Sequence, residues 1–338
     1  MKLYCGIDLH SNNSVIVILD EADKVVYQKK MANDLELILQ QLQVYINDIV
    51  AIAIESTFNW YWLVDGLKEA GHEVKLVNTA AIQTYNGLKH TDDKDDARWL
   101  AHLLRLGILP TGYIYPKEER AVRDLLRKRS QLVRQSTTNI LSAQNILARN
   151  TAHSINANRL KTIKDEEADK LLEDSNITLA FKSNITIIKS LQATITTIEQ
   201  AVVKQVKLRP EYQQLLSVSG IGQVLGLTIM LETGEISRFE KVGNYSSYCR
   251  CVKSERLSNG KKKGENNRKN GNKYLAWAFI EAANFAIRYN DKVKSFYQKK
   301  KAKTNGIIAT KAVAHKLARA CYHIMKDQVP FDVNKAFM

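Results

Sequence analysis

The sequence predicts a mixed α/β domain at the N-terminus, followed by a helical arm and a mainly α-helical C-terminal domain. The first 77 residues alternate short β-prone runs with turn residues and two amphipathic helical patterns. From residue 116 onward the pattern changes to long helical stretches with apolar residues three and four positions apart. We therefore expect three domains, at residues 1–112, 113–209 and 210–338.

The order of the N-terminal elements predicts a ribonuclease H-like domain. Residues 2–9, 14–19 and 24–29 read as three strands of an antiparallel meander. A helix capped by Asn33 follows, and then the apolar run 49–54, which suits a strand buried on both faces. A second helix and a short strand complete the pattern, at about residues 59–70 and 73–77. Three strands, a helix, a strand, a helix and a strand form the order of that fold.

Acidic residues occupy three places in this predicted domain. Asp8 lies near the end of the first strand, Glu55 ends the fourth, and four aspartates begin a following helix: Asp92, Asp93, Asp95 and Asp96. Acids at a helix start are often only caps, and Asp8 and Glu55 could be ordinary turn and strand-end residues.

A helical wheel separates the four aspartates. Asp93 and Asp96 lie on the side of the apolar stripe formed by Ala97, Leu100, Leu103 and Leu104. Asp92 is then the expected cap, and Asp95 the expected solvent-facing acid. Because inward-facing carboxylates are costly without a cationic partner, the pattern favours a divalent metal beside Asp93 and Asp96.

Charge and cysteine content restrict the class of protein. The chain of 338 residues has a formal net charge of +15, and its segment 238–273 contains eleven Lys or Arg against three Glu. Such a balance indicates a polyanionic partner, and nucleic acid is the usual one. Four cysteines do not suggest a disulfide framework, and no run of 18 apolar residues occurs, so we expect a cytoplasmic protein without a membrane span.

Two features of the helical region are candidates for nucleic-acid contact. The stretch 116–150 carries Arg120, Arg123, Arg127 and Lys128, which are either a solvated face or a grip on the phosphate backbone. Gly220-Ile-Gly222, between two helical stretches, resembles a helix-hairpin-helix turn, although a plain helix–helix turn is equally consistent. The 3–4 spacing of apolar residues over 177–208 favours a helical hairpin or a coiled-coil arm that joins subunits.

A basic, glycine-punctuated segment at 249–273 contains the two serines of interest, Ser254 and Ser258. A serine is a poor nucleophile until a base, a metal or nearby positive charge favours its alkoxide, so a plain hydrogen-bonding role is the alternative. Cations that could grip phosphates surround these serines: Lys261, Lys262, Lys263, Arg268 and Lys269.

These motifs together resemble the insertion-sequence-110 family of transposases, the DEDD-type serine recombinases that are guided by a bridge RNA. In the N-terminal half the resemblance rests on Gly6-Ile-Asp8, Ile54-Glu55-Ser-Thr and Asp93-Lys-Asp-Asp96-Ala97. In the C-terminal half it rests on Val218-Ser-Gly-Ile-Gly222, Glu232-Thr-Gly-Glu-Ile-Ser-Arg-Phe239 and Lys269-Asn-Gly-Asn272. The family's serine lies in a Ser-Gly pair that follows a Gly-Leu-x-Pro motif. Here Arg250-Cys-Val-Lys253 replaces Gly-Leu-x-Pro, and Ser258-Asn259-Gly260 replaces Ser-Gly. Counting from either side favours Ser258 as the family's serine, with Ser254 as the second choice.

The resemblance implies a Holliday-junction-resolvase-like domain in which Asp8, Glu55, Asp93 and Asp96 hold Mg²⁺. It also implies attack by Ser258 on DNA, a covalent phosphoserine intermediate, a structured guide RNA and a homo-oligomer. Two rivals remain at this stage. One is a hydrolytic junction nuclease that uses water as its nucleophile, and the other is a non-catalytic nucleic-acid-binding protein.

Overall fold

The computed structural model describes residues 1–82, 93–206, 209–265 and 270–338, without the side chains of residues 93, 256 and 257. The chain divides into two compact units, Met1–Lys117 and Glu118–Met338. Among the described residues, no helix is both long and apolar enough to cross a membrane. All four cysteines are free thiols.

A five-stranded mixed sheet forms the centre of the first unit. Its strands are β1 (Leu3–Leu9), β2 (Asn13–Leu19), β3 (Val25–Ala32), β4 (Ile49–Glu55) and β5 (Val74–Val77). Their order across the sheet is β3-β2-β1-β4-β5, in which the first three strands are antiparallel and β4 pairs parallel with both β1 and β5. The predicted meander and the mixed α/β architecture are confirmed, and they fit a ribonuclease H-like domain.

Helices cover the two faces of this sheet because side chains alternate along each strand. On one face Cys5, Ile7 and Leu9 of β1 pack in a core to which α1 (Leu35–Gln43) and α2 (Tyr61–Glu69) contribute. On the other face α3 (Asp93–Arg105) places Ala97 and Ala101 against β2, and Leu100 against β4 and β5. The C-terminal ends of β1 and β4 are therefore covered by α3 on the face that carries Gly6 and Asp8.

The predicted cap of the first helix is wrong by one residue. Asp34, not Asn33, is the N-cap of α1, and its side chain accepts from the amide of Leu37 at 3.2 Å. Asn33 instead accepts from the Ser14 hydroxyl at 2.6 Å and donates to the His10 carbonyl at 2.9 Å. Both residues are good caps, so local sequence could not distinguish them.

The second unit begins with two long helices, α4 (Lys117–Thr151) and α7 (Ser175–Val206), connected through α5 (Ala157–Thr162) and α6 (Asp165–Asp169). The stripe with 3–4 spacing on α7 is buried within the chain itself. Phe181, Ile185 and Ile188 lie in one core with Ala143 and Leu147 of α4. The apolar stripe of α7 is therefore buried by contacts within one chain, and an additional role in joining subunits stays a prediction. The domain boundary at 209/210 also stays a prediction.

The remaining chain forms a helical domain core with one small hairpin. Its helices are α8 (Pro210–Leu215), α9 (Gln223–Thr233), α10 (Val242–Tyr248), α11 (Lys273–Tyr289), α12 (Asp291–Lys303), α13 (Gly306–Asp327) and α14 (Val333–Ala336). Between α10 and α11, β6 (Arg256–Ser258) and β7 (Lys261–Gly264) pair antiparallel. Two short 3₁₀ turns complete the described structure, at Thr79–Ala81 and Ile236–Arg238. Tyr212, Tyr245 and Phe279 are the largest fully buried side chains of this core.

Candidate active site

Asp8 and Glu55 lie at neighbouring strand ends in the first unit. β1 and β4 run parallel with Ile7 beside Ile54, so the next residue on each strand carries a carboxylate at the same edge of the sheet. Asp8 is 2% exposed, whereas Glu55 is half-buried. The fold therefore brings together two acids that are 47 positions apart in sequence.

Gly6 allows α3 to approach these acids closely. A Cβ at position 6 would lie 2.0 Å from the Ala97 carbonyl oxygen and 2.8 Å from the Ala101 amide nitrogen, so only glycine fits between β1 and the helix backbone. Asp96 precedes Ala97 on that helix. The close packing of two backbones thus fixes the first turn of α3, where the predicted aspartates are, against the strand that carries Asp8.

The carboxylates influence one another. Burial, a side-chain hydrogen bond with Asp8 and the negative charges of Asp8 and Asp96 raise the pKa of Glu55 to about 7, against an ordinary value of 4.5, while His10 acts in the opposite direction. Asp95 and Asp96 are both exposed to solvent, and of these two helix acids it is Asp96 whose charge raises the pKa of Glu55.

The Asp8–Glu55 pair has the chemistry of a site for a hard divalent cation. Oδ2 of Asp8 is buried, and although Nε2 of His10 lies 3.2 Å from it, this oxygen accepts no well-directed hydrogen bond from the described residues. Such an oxygen, beside a second carboxyl group whose pKa is raised by burial and by neighbouring carboxylates, fits Mg²⁺, which prefers carboxylate oxygens. No three His, Cys, Asp or Glu side chains within the described ranges are grouped closely enough to hold a metal by themselves. The side chain of Asp93 and the whole of Asp92 lie outside those ranges.

His10 is a site residue that the sequence analysis did not identify. Its Nε2 lies 3.2 Å from Oδ2 of Asp8, and its backbone carbonyl accepts hydrogen bonds from the side-chain amides of Asn33 and Asn59, both at 2.9 Å. The two amides hold the turn after β1 in place beside Asp8. The pattern Asp-x-His at a strand end was visible in the sequence, but nothing in it indicated the two distant asparagines.

The far end of α3 is tied to the turn between β2 and β3. Asp23 accepts from Nε of Arg105 at 2.7 Å and lies 2.9 Å from Nδ1 of His102. Burial raises the pKa of the Asp23 carboxyl, but the hydrogen bonds and charges of Arg105 and His102 outweigh it and lower that pKa. Together with the contact at Gly6, this ion pair fixes both ends of the helix that carries the aspartates.

Ser258 lies at the tip of the small hairpin in the second unit. It ends β6, pairs with Lys261 of β7 and is exposed, as are Lys261, Lys262 and Lys263. The intervening Asn259 and Gly260 have φ values of 50° and 70°, which fit the tight two-residue turn that Asn-Gly favours. Ser254 is half-buried before the hairpin. Arg268 and Lys269, predicted to bind nucleic acid, lie outside the described residues.

The predicted basic helix contains side chains in different environments. Arg120 and Arg123 are only 5% and 8% exposed, whereas Lys128 is exposed. Arg127 forms two hydrogen bonds to the Glu232 carboxylate, from Nε at 2.6 Å and from Nη2 at 2.7 Å. Burial alone would lower the pKa of Arg127, but Glu232 raises it above its usual range. Contact with nucleic acid stays a prediction for these four residues.

The glycines of the predicted helix-hairpin-helix turn differ from each other. Gly220 has φ of +90°, and a Cβ there would lie 2.3 Å from the Ala282 carbonyl oxygen, so this glycine allows the turn to pack on α11. Gly222 is the N-cap of α9 and faces open space. The close packing explains why position 220 requires glycine. Phosphate binding by Gly220 and Gly222 stays a prediction.

Comparison with known proteins relates both units to transposases. Residues 5–150 match the family model DEDD_Tnp_IS110, described as a transposase, and residues 212–298 match the Transposase IS116/IS110/IS902 family. A relative from Sinorhizobium fredii (strain NBRC 101917 / NGR234), named "Putative transposase y4qE", is 22% identical over 238 residues. That alignment covers 69% of this chain and 57% of the relative, so the chain spans little more than half of the relative's length.

Proposed function

Because the chain belongs to the IS110 family of transposases, we propose that it is the recombinase of an insertion sequence, which cuts and rejoins double-stranded DNA. The observation that carries this proposal is the carboxyl pair Asp8–Glu55, with the charge of Asp96 acting on it. Grouped carboxylates have little use in a protein that only binds DNA, since they repel phosphates. They are what a metal-dependent phosphoryl-transfer site requires.

The acids of the first unit would hold the metal. Asp8, Glu55, Asp93 and Asp96 would supply oxygen ligands, and a bound cation would lower the raised pKa of Glu55. Bound Mg²⁺ would polarise the scissile phosphate and neutralise charge that develops on it.

Ser258 is the proposed nucleophile. Its Oγ loses its proton and bonds to the phosphorus, while the bond from phosphorus to the leaving DNA oxygen breaks and that oxygen takes up a proton. Attack of a DNA hydroxyl on the phosphoserine reverses these changes and restores the serine. The number of phosphodiester bonds is conserved, so rejoining needs no nucleotide hydrolysis. Lys261, Lys262 and Lys263 beside Ser258 favour its alkoxide and attract the DNA backbone.

The proposal includes two kinds of partner. A structured RNA encoded beside the gene would select donor and target DNA by base pairing, and copies of the chain would assemble so that acids and serine act together. The resemblance to bridge-RNA-guided recombinases is the reason for both, and the net charge of +15 is compatible with an RNA cargo.

A plasmid that carries the gene with its native flanking DNA tests the proposal, because the flanks supply the element ends and any guide RNA. In bacterial cells, the wild-type protein is expected to give excision junctions and a covalent protein–DNA adduct. Ser258→Ala should abolish both, while Ser254→Ala, the matched control, should retain both. Asp8→Asn should abolish the excision junctions and the adduct. Asp95→Asn should lower excision less than about threefold, because Asp95 is exposed and is not one of the proposed metal ligands.

The rival functions predict different results on the same plasmid. If Ser258→Ala still cleaves DNA and no adduct forms with the wild type, the protein is a hydrolytic nuclease. If Asp8→Asn leaves every DNA product unchanged, the protein binds DNA without catalysis.

A further inference from the structure

The segment that carries Ser258 leaves the helical core after α10 and returns to it at α11 through a narrow neck. Backbone and side-chain hydrogen bonds close this neck. The amide of Asn272 donates to the Tyr248 carbonyl at 2.6 Å. The Arg250 guanidinium donates from Nε to the Asn270 carbonyl at 3.0 Å and from Nη2 to the Gly271 carbonyl at 2.9 Å.

The two sides of the neck touch at backbone level. Gly271 has φ of +86°, and a Cβ there would lie 2.5 Å from the Tyr248 carbonyl oxygen. Arg250 on the other side also adopts a left-handed conformation, with φ of 55°. The conformation at position 271 requires glycine, and a left-handed conformation is energetically unfavourable for a residue such as Arg250. The surrounding contacts must therefore hold both residues in place.

A buried carboxylate lies behind the neck. Glu232 of α9 is 3% exposed and accepts the two hydrogen bonds from Arg127 and a third from Nδ2 of Asn272 at 2.7 Å. Asn272 also caps α11, since its Oδ1 accepts from the amides of Tyr274 at 2.8 Å and Leu275 at 3.1 Å. Each polar atom of the Asn272 side chain is therefore used, and the residue joins the neck to α4, α9 and α11.

We propose that Arg127, Glu232 and Asn272 form a positioning clamp that fixes the base of the hairpin and thereby the direction in which Ser258 is presented. Apolar residues would fill this space with less desolvation, whereas a fully satisfied polar network permits only one geometry. The clamp assigns Arg127 to holding the protein rather than nucleic acid. Its catalytic consequence rests on the proposed role of Ser258, but its structural consequence does not.

Asn272→Asp tests the clamp because it places a second carboxylate against Glu232. The double variant Glu232→Gln/Asn272→Asp exchanges amide and acid. The amide now at position 232 can then donate to the carboxylate now at position 272, and it can still accept from Arg127. Asn290→Asp is the matched control. Asn290 also caps a helix, α12, but its amide donates to the neutral Ser219 hydroxyl at 2.9 Å, which can turn to donate instead.

Hydrogen exchange of the full-length protein is the first measurement. Asn272→Asp should accelerate exchange about tenfold or more in peptides of the neck, residues 246–255 and 270–275, and leave α13 unchanged. The double variant should return the neck to within about threefold of wild type, and Asn290→Asp should leave it unchanged. Glu232→Gln alone, a milder variant, should loosen the neck without unfolding the chain.

Excision from the plasmid is the second measurement, with affinity for a short DNA duplex of arbitrary sequence as the binding control. Asn272→Asp should reduce excision about tenfold with little change in duplex affinity, and the double variant should recover it. Equal neck exchange in Asn272→Asp and wild type, or no recovery in the double variant, overturns the clamp. A loosened and rescued neck with unchanged excision supports the clamp and contradicts the role of Ser258.

Discussion

Glu55 illustrates how position in the fold changes the chemistry of one residue. In isolation its carboxyl group would be ionised at neutral pH, but burial and the neighbouring carboxylates raise its pKa to about 7. Since the folded pKa lies above the unfolded one, the folded chain binds more protons than the unfolded chain between pH 4.5 and about 7. Stability contributed by Glu55 is complete below pH 4.5 and is lost as the pH rises through this window.

Glu55→Gln should therefore stabilise the metal-free protein at high pH. At pH 8 with EDTA, we expect its free energy of unfolding to exceed that of wild type by about 1 kcal/mol, a value reduced for the partial exposure of the site. At pH 4, where wild-type Glu55 is neutral, the two proteins should be nearly equal. Urea unfolding at both pH values measures this. Added Mg²⁺ at pH 8 should stabilise the wild type more than the variant. If the free-energy advantage of the variant over wild type is smaller at pH 8 than at pH 4, the raised pKa of Glu55 is contradicted.

Individual residues also show what the sequence could not predict. The sequence suggested Asp8 and Glu55 as candidates because each lies at the end of a recognisable strand, and the helical wheel selected Asp93 and Asp96. His10 was missed because its role depends on amides from Asn33 and Asn59, which only the folded chain brings to one place. For Arg127 the sequence predicted a phosphate contact, which stays a prediction, but nothing in a basic helix reveals that a glutamate 105 positions later accepts its hydrogen bonds.

The packing of β1 against α3 determines the candidate site at the level of secondary structure. The sequence predicted both elements but not their closeness, because a glycine in a strand indicates a close approach without naming the partner. The hairpin of β6 and β7 was missed for a different reason. Asn259-Gly260 is a strong turn signal, but the flanking residues are charged and show no alternation of apolar and polar residues.

Gly6→Ala should disrupt the contact between β1 and α3. The new methyl group would overlap the backbone of Ala97, which cannot move away as a side chain could. We expect a loss of about 2 kcal/mol or more in the free energy of unfolding, and faster hydrogen exchange in α3. Gly112→Ala is the control in the same unit, because a Cβ there meets only the Leu76 carbonyl oxygen at an ordinary 3.6 Å. Equal free energies of unfolding for the two variants would mean that α3 does not pack closely against Gly6.

Charge is divided unequally over the whole molecule. The first unit has 15 acidic against 11 basic residues, whereas the second has 39 basic against 20 acidic residues. The unit with the candidate metal ligands is thus slightly acidic, and the unit with Ser258 carries the entire positive excess. This division was visible in the sequence, and it indicates that the second unit provides most of the affinity for nucleic acid.

The three hairpin lysines should contribute directly to that affinity. Lys261, Lys262 and Lys263 are exposed, although Lys262 lies 3.9 Å from a carboxylate oxygen of Glu255, and each lysine that neutralises a phosphate releases about one counterion. Replacing all three with Ala should reduce the slope of log affinity against log salt by up to about 3 for a short DNA duplex. Fluorescence anisotropy over a range of NaCl concentrations measures that slope.

Three other cations of the second unit provide a control of equal charge. Arg159, Lys182 and Lys189 each contact a carboxylate, those of Glu167, Asp169 and Asp165 respectively. Because these pairs are already neutralised within the chain, replacing the three cations with Ala should change the salt slope much less than the hairpin variant does. If both triple variants reduce the slope equally, net charge alone governs binding. The hairpin would then have no special contact with the DNA backbone, and the placement of Ser258 beside a phosphate would lose its main electrostatic support.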